Sequence, residues 1–228
     1  MKALRIIEQI LRNRDQFFTE IRDGIGLEEK ISAMVVSSLV CLLVYGAVLG
    51  STHSALQALS SAIKVPILFL ATLVVCSPTL YFFEVLFGSN QTIGKSFALV
   101  LTAIAVTAVL LLAFAPVSLF FLLSSSNYQF FKLLNVVIFA VAAIRGVSFL
   151  SYGTRIVAAN TEGAEARRRV VSVWVILYAV VGSQMAWTLR PFVGAPSLPF
   201  ELFRDLGGNF YSNVIGSIGE ILGLWVMR

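Results

Sequence analysis

The sequence predicts an all-α fold: a polytopic membrane bundle of five transmembrane helices, with an amphipathic interfacial helix at each end. Three observations predict it. Of the 228 residues, 58% are hydrophobic and only 13% are charged, with a mean hydropathy of +0.88. A soluble domain carries about a quarter charged residues, so this chain has too little charge to cover a water-facing surface. Five runs, at residues 31–50, 65–87, 96–123, 131–152 and 170–189, reach the roughly 20 apolar residues that a membrane-crossing helix needs. The gaps between them are short and polar.

The organisation is therefore a segment over 1–30, a five-helix domain over 31–190 and a terminal region over 191–228. The first segment is too charged for a cleavable signal peptide. Its Leu4, Ile7, Ile10, Leu11, Phe17, Phe18, Ile21 and Ile25 recur at helical spacing between charges. That pattern predicts a helix lying in the membrane interface, or one that docks a partner. Gly24-Ile-Gly26 is a turn signal ahead of the first span. Pro78 and Pro116 predict bends in the second and third spans.

Lysine and arginine set the orientation. With the N-terminus cytoplasmic, that side carries Lys2, Arg5, Arg12, Arg14, Arg22, Lys30, Lys95, Arg155 and Arg167–Arg169. The opposite loops carry Lys64, Lys132, Arg190, Arg204 and Arg228, and Arg145 falls within the fourth span. The bias places the N-terminus in the cytoplasm and, after five spans, the C-terminus outside. The sequon at Asn90 then lies in a cytoplasmic loop and is read as chance.

The stretch WTLRPFVGAPSLPFELFR, from Trp187 to Arg204, holds three of the six prolines. Proline forbids a regular helix there, so a stiff cap is expected, turning the chain from a vertical span to a flat helix. Trp187, Arg190, Phe192, Phe200, Phe203 and Arg204 form a candidate surface for a partner or a lipid headgroup, since aromatic and arginine side chains build binding hot spots. Beyond Gly207-Gly208, Phe210, Val214, Ile218, Leu222 and Trp225 share one helical face and Asn209 suits an N-cap. Glu220 and the short apolar length speak against a sixth span. Gly219 and Gly223 make a GxxxG pair, a motif that arises often by chance.

Two ionisable residues lie inside spans, Glu84 and Arg145. Charges in lipid are costly and face the bundle interior or one another, so a Glu84–Arg145 ion pair is a candidate, with separate snorkelling as the alternative. Asn135, Ser172, Ser183 and Gln184 are too scattered to define an ion path. Cys41 and Cys76 lie in apolar runs and are expected as packed free thiols. His53, the only histidine, supports neither a metal site nor a catalytic triad. With no phosphate-cradling or zinc-protease motif, an enzyme is disfavoured, no cofactor or metal is expected, and nucleic-acid binding is excluded.

The layout resembles the Yip1-domain family of five-span membrane proteins. The resemblance rests on the proline-bearing second span Cys76-Ser-Pro-Thr-Leu-Tyr81, the polar turn Gly88-Ser-Asn-Gln-Thr-Ile-Gly-Lys95 and Phe114-Ala-Pro116 in the third span. It covers about residues 30–190. Nothing before Ile31 matches the acidic Leu-Tyr-Gly-Pro type signature of the eukaryotic relatives. The resemblance implies a bacterial inner-membrane protein. The expected role is a non-enzymatic scaffold or accessory subunit, with the lipid bilayer and either a protein partner or a homo-oligomer as its contacts. The alternative is a homo-oligomeric channel or transporter component with a polar path near Glu84, Arg145 and Gln184.

Overall fold

The structure, a computed structural model, describes residues 2–86, 92–125, 127–157, 164–194, 199–205 and 207–222, the side chains of 2–3, 83–86, 164–168 and 221 excepted. The described residues form eight α-helices and no strand: α1 (Lys2–Arg12), α2 (Arg14–Asp23), α3 (Leu27–Gly50), α4 (Ala55–Leu86), α5 (Ile93–Ser124), α6 (Tyr128–Val157), α7 (Ala164–Leu189) and α8 (Phe210–Ile221). Helices α3 to α7 are each long and apolar enough to cross a bilayer, so the chain is a multi-pass membrane protein. In lipid a helix satisfies its own backbone groups, and these helices run unbroken through Pro66, Pro78 and Pro116.

Two boundaries depart from the expectation. Helix α3 starts at Leu27, directly after the left-handed Gly26 (φ +62°). Helix α4 starts at Ala55, ten residues before the apolar run, so Lys64 sits inside a helix and is buried rather than in a loop. Sequence hydropathy misses the ten because Gln57, Ser60, Ser61 and Lys64 dilute it.

The N-terminal stretch is a pair of short helices docked on the bundle, not one helix lying in lipid. Phe17, Phe18 and Ile21 are fully buried, and Phe18 packs against Tyr152 of α6 with ring centroids 5.9 Å apart. Lys30 at the start of α3 pairs with Glu20 at 2.9 Å, and Lys95 Nζ donates to the Arg22 carbonyl at 2.6 Å. Leu4, Leu11 and Ile25, expected on the same apolar face, point outward. The expected face splits because the chain breaks at Asn13, which rotates the second half relative to the first.

Helix α5 is the axis of the bundle: 61% of its most apolar stretch is buried, against 17% for α7. Helices α3 and α4 cross at Gly46 and Gly50, where a Cβ would stand 2.4 Å from the Ser61 carbonyl oxygen and 2.2 Å from that of Gln57. Only glycine permits that approach, and small residues at such spacing drive membrane helices together. A buried polar node ties three helices. Tyr45 of α3 donates to Asn135 Oδ1 of α6 at 2.7 Å, and Ser118 of α5 donates to the same oxygen at 2.9 Å. Helix α7 hangs on α4 through side chains that reach its backbone: Trp174 Nε1 donates to the Cys76 carbonyl at 2.9 Å and the Tyr178 hydroxyl to that of Phe69 at 3.1 Å. Cys41 and Cys76 are buried free thiols.

Candidate functional site: a cleft closed at one end by the cap

The bundle's helices pair as α4 with α7 and α5 with α6. Between the two pairs lies a cleft of about 700 Å³, within the roughly 300–1,000 Å³ of ligand pockets. Its lining runs along α6 from Lys132 to Leu150 and along α7 from Trp174 to Trp187. At about 1.5 Å per residue these stretches are about 27 and about 20 Å long, a large part of the roughly 30 Å hydrocarbon core. Its walls are mostly apolar, with Phe69, Ile104, Phe139 and Val175 among them. Ala143 of α6 and Ala179 of α7 line the cleft and are also exposed, so it opens sideways between those helices.

The cap closes one end. Residues 191–194 and 199–205 are held by a polar stripe on α4, Gln57, Ser61 and Lys64, at successive helical turns. Gln57 Nε2 donates to the Pro191 carbonyl at 2.9 Å, Ser61 Oγ to that of Phe192 at 2.6 Å, and Lys64 Nζ to that of Leu202. The Lys64 ammonium also sits 4.8 Å from the Phe203 ring centroid. Tyr128 of α6 donates to the Val193 carbonyl at 3.3 Å. The cap rests on the α3–α4 turn, where a Cβ on Gly194 would lie 2.4 Å from that of His53. As expected from proline, residues 191–194 and 199–205 form no helix; Pro196 lies outside the described residues, and the Arg190–Pro191 peptide is cis.

Helix α8 then bridges α6 and α7. Its start is a capping box of Asn209 and Ser212, as Asn209 suggested. Asn213 accepts from Lys132 Nζ of α6 at 3.1 Å, Gln129 of α6 donates to Glu220 at 2.8 Å, and the Tyr211 and Ser183 hydroxyls lie 3.0 Å apart. Gly216, Ser217 and Gly219 face the bundle, while Tyr211, Ile215, Ile218 and Leu222 are exposed. The outward stripe thus differs from the expected Phe210–Val214–Ile218–Leu222 face by one residue of rotation in its first half. Gly219 is used against the bundle, and Gly223 and Trp225 lie outside the described residues.

The charged residues lining the cleft are Lys132, Arg190 and Arg204, all cationic and all at the cap end. The Arg190 guanidinium stacks on Trp187, 3.5 Å from the ring centroid, and donates to the Asp205 and Gly207 carbonyls. Burial, and secondarily the neighbouring Arg204, lower its pKa. Arg204 pairs with Glu201 at 3.0 Å. Nε of Arg190 and Nε1 of Trp187 are buried donors without an acceptor among the described residues. An unmet buried donor costs about 1–3 kcal/mol.

Of the residues proposed from sequence, Trp187, Arg190, Phe192 and Arg204 converge on the cleft. Phe192 packs inward on the core, not outward in an aromatic belt. Phe200 and Phe203 are on the outer side of the cap, exposed. Arg145 lies on the exposed face of α6 beside Ile144 and does not line the cleft. The Glu84 side chain lies outside the described residues, as do residues 88–91 of the polar turn and the side chains of Arg167 and Arg168. Gln184 is exposed on α7. Sequence reasoning missed Lys132 as a site residue and missed the Gln57–Ser61–Lys64 stripe, although its spacing of four and three is a helical signal.

No family model matches the chain, and no curated protein or solved structure matches it either.

Proposed function

We propose that this protein is a non-enzymatic integral membrane protein that holds a membrane amphiphile in the cleft between α4–α7 and α5–α6. The observation that carries the reading is the shape and chemistry of that cleft. It is apolar over most of its length, open to the side between α6 and α7, and, among the described residues, charged only at its capped end. A lipid entering sideways keeps its tail in apolar surroundings and its headgroup at the polar end. Buried apolar area stabilises such a complex at about 25 cal/mol per Å², less the ordering costs of binding. By the lysine and arginine bias the polar end faces the extracytoplasmic side, and the setting that the Yip1-like layout implies is a bacterial inner membrane.

The scaffold or accessory-subunit reading draws on the exposed stripe of α8. A helix lying in the bilayer interface presents the same stripe, so the cleft carries the assignment. In the alternative reading, a homo-oligomeric channel with a pore between subunits, Arg145 and Gln184 would line the path from the exposed faces of α6 and α7.

The test is to extract the full chain in native-membrane nanodiscs and count retained lipid by native mass spectrometry. Gly182 lines the cleft, and a Cβ there meets nothing closer than 3.6 Å, so Gly182→Leu with Ala179→Leu fills space without a clash. The doubly filled variant is expected to keep its thermal stability and to lose lipid retention by about tenfold, the equivalent of about 1.4 kcal/mol. Retention equal to the wild type overturns the reading.

A further inference from the structure

Three cations line the closed end of a mostly apolar cleft. Lys132 comes from the first turn of α6, Arg190 from just past α7, and Arg204 from the cap. Among the described residues, no aspartate or glutamate shares the lining. Of the acids nearby, Glu201 holds the Nε edge of Arg204, Glu220 takes the amide of Gln129 while its charge also acts on Lys132, and Asp205 meets Arg190 through its carbonyl. Among the described residues, neither Lys132 nor Arg190 has a carboxylate within ion-pair distance; their partners are Asn213, two carbonyls and the rings of Tyr128 and Trp187.

From this charge complementarity we infer that the occupant is a lipid with an anionic phosphate headgroup, bound with its phosphate among Lys132, Arg190 and Arg204 and its tail along α6 and α7. The inference rests on the cleft holding an amphiphile and adds which headgroup it selects. Arginine presents a planar fork of donors that matches phosphate oxygens, and a zwitterionic headgroup would bring its own cation into the cluster. Small residues on both sides of the mouth, Ala143, Ala179 and Gly182, leave the tail its space. The cluster lies at one end of helices long enough to span the bilayer, which is the depth of a headgroup and not of a tail.

The experiment uses the full chain in nanodiscs containing equal amounts of phosphatidylglycerol and phosphatidylcholine with identical tails, read by native mass spectrometry of retained lipid. The wild type is expected to prefer the anionic lipid by at least about tenfold. Lys132→Gln, which keeps a donor toward Asn213, is expected to lower that preference several-fold while total retention persists. Arg190→Lys, which keeps the charge but loses the fork, lowers it less than Arg190→Gln. Should either arginine variant fail to fold, the Lys132 variant and the lipid pair decide alone. Equal retention of the two lipids overturns the headgroup inference and leaves the amphiphile-holding cleft standing. No retained lipid of either kind overturns both. Displacement of the anionic lipid by excess inorganic phosphate would overturn the lipid as occupant and assign the cluster to a free anion.

Discussion

The α3–α4 crossing and the α6–α7 gap are built from the same kind of residue and do opposite things. At the crossing, Gly46 and Gly50 let two backbones touch, so closely that a single methyl would meet a carbonyl oxygen at 2.2–2.4 Å. At the gap, Ala143, Ala179 and Gly182 line open space, and a Cβ at Gly182 has room. A small residue in a membrane helix thus marks a place where either a neighbour or a ligand comes close, and only the third dimension distinguishes the two.

The largest expected effect breaks this comparison directly. Gly50→Leu should destabilise the protein by more than about 3 kcal/mol, beyond ordinary overpacking, because the obstacle is backbone and cannot rotate away. Thermal unfolding in detergent should show it against the near-neutral filling of Gly182. Similar stability losses at the two glycines would mean that the gap is as closed as the crossing.

A second, smaller effect sharpens the contrast at the cap. Lys64→Met removes the donor to the Leu202 carbonyl and keeps the aliphatic length. We expect a loss of about 1–3 kcal/mol from the unsatisfied acceptor, together with faster amide exchange at residues 199–205. Unchanged exchange would show that the cap stands without α4.

The smallest effect belongs to the opposite end of the bundle. The hydrogen bond from Lys30 is the first cause lowering the pKa of Glu20, and burial opposes it. A carboxylate lowered in the folded state stabilises the fold above the ordinary carboxylate range, and the contribution is lost as pH falls through the lowered value. Glu20→Gln should therefore cost up to about 1 kcal/mol near neutral pH, and its melting temperature should converge with the wild type in acid. A constant difference at all pH values would remove the ion pair from the account.

Hydropathy made the five spans legible, because membrane helices declare themselves by apolar length alone. It also located the stiff cap, since proline's restriction is local. What stayed hidden is tertiary. The turn-spaced Gln57, Ser61 and Lys64 resemble a polar loop until the cap's carbonyls are placed opposite them. Arg190 and Lys132 are separated by almost two whole spans, and no local pattern says that both border one cleft. Gly46 and Gly50 carry a GxxxG spacing inside the first span, a better signal than the Gly219–Gly223 pair. It was obscured by how commonly that spacing occurs. Phe17 and Phe18 were assigned to a helix face in lipid because amphipathicity reports that one side is apolar, not whether protein or lipid covers it.

The bonds from α4 to the cap impose an order on biogenesis. Lys64 enters the bilayer with the second span, yet its acceptor at Leu202 lies 138 residues further along the chain, and those of Gln57 and Ser61 lie 134 and 131 residues away. A ribosome delivers those carbonyls only after every remaining span. Until then the lysine must lean toward the headgroups, and the cleft has no closed end. The cap, made after all five spans, is thus the segment that closes the cleft, and a chain truncated before it is expected to insert all five spans with the cleft left open at that end.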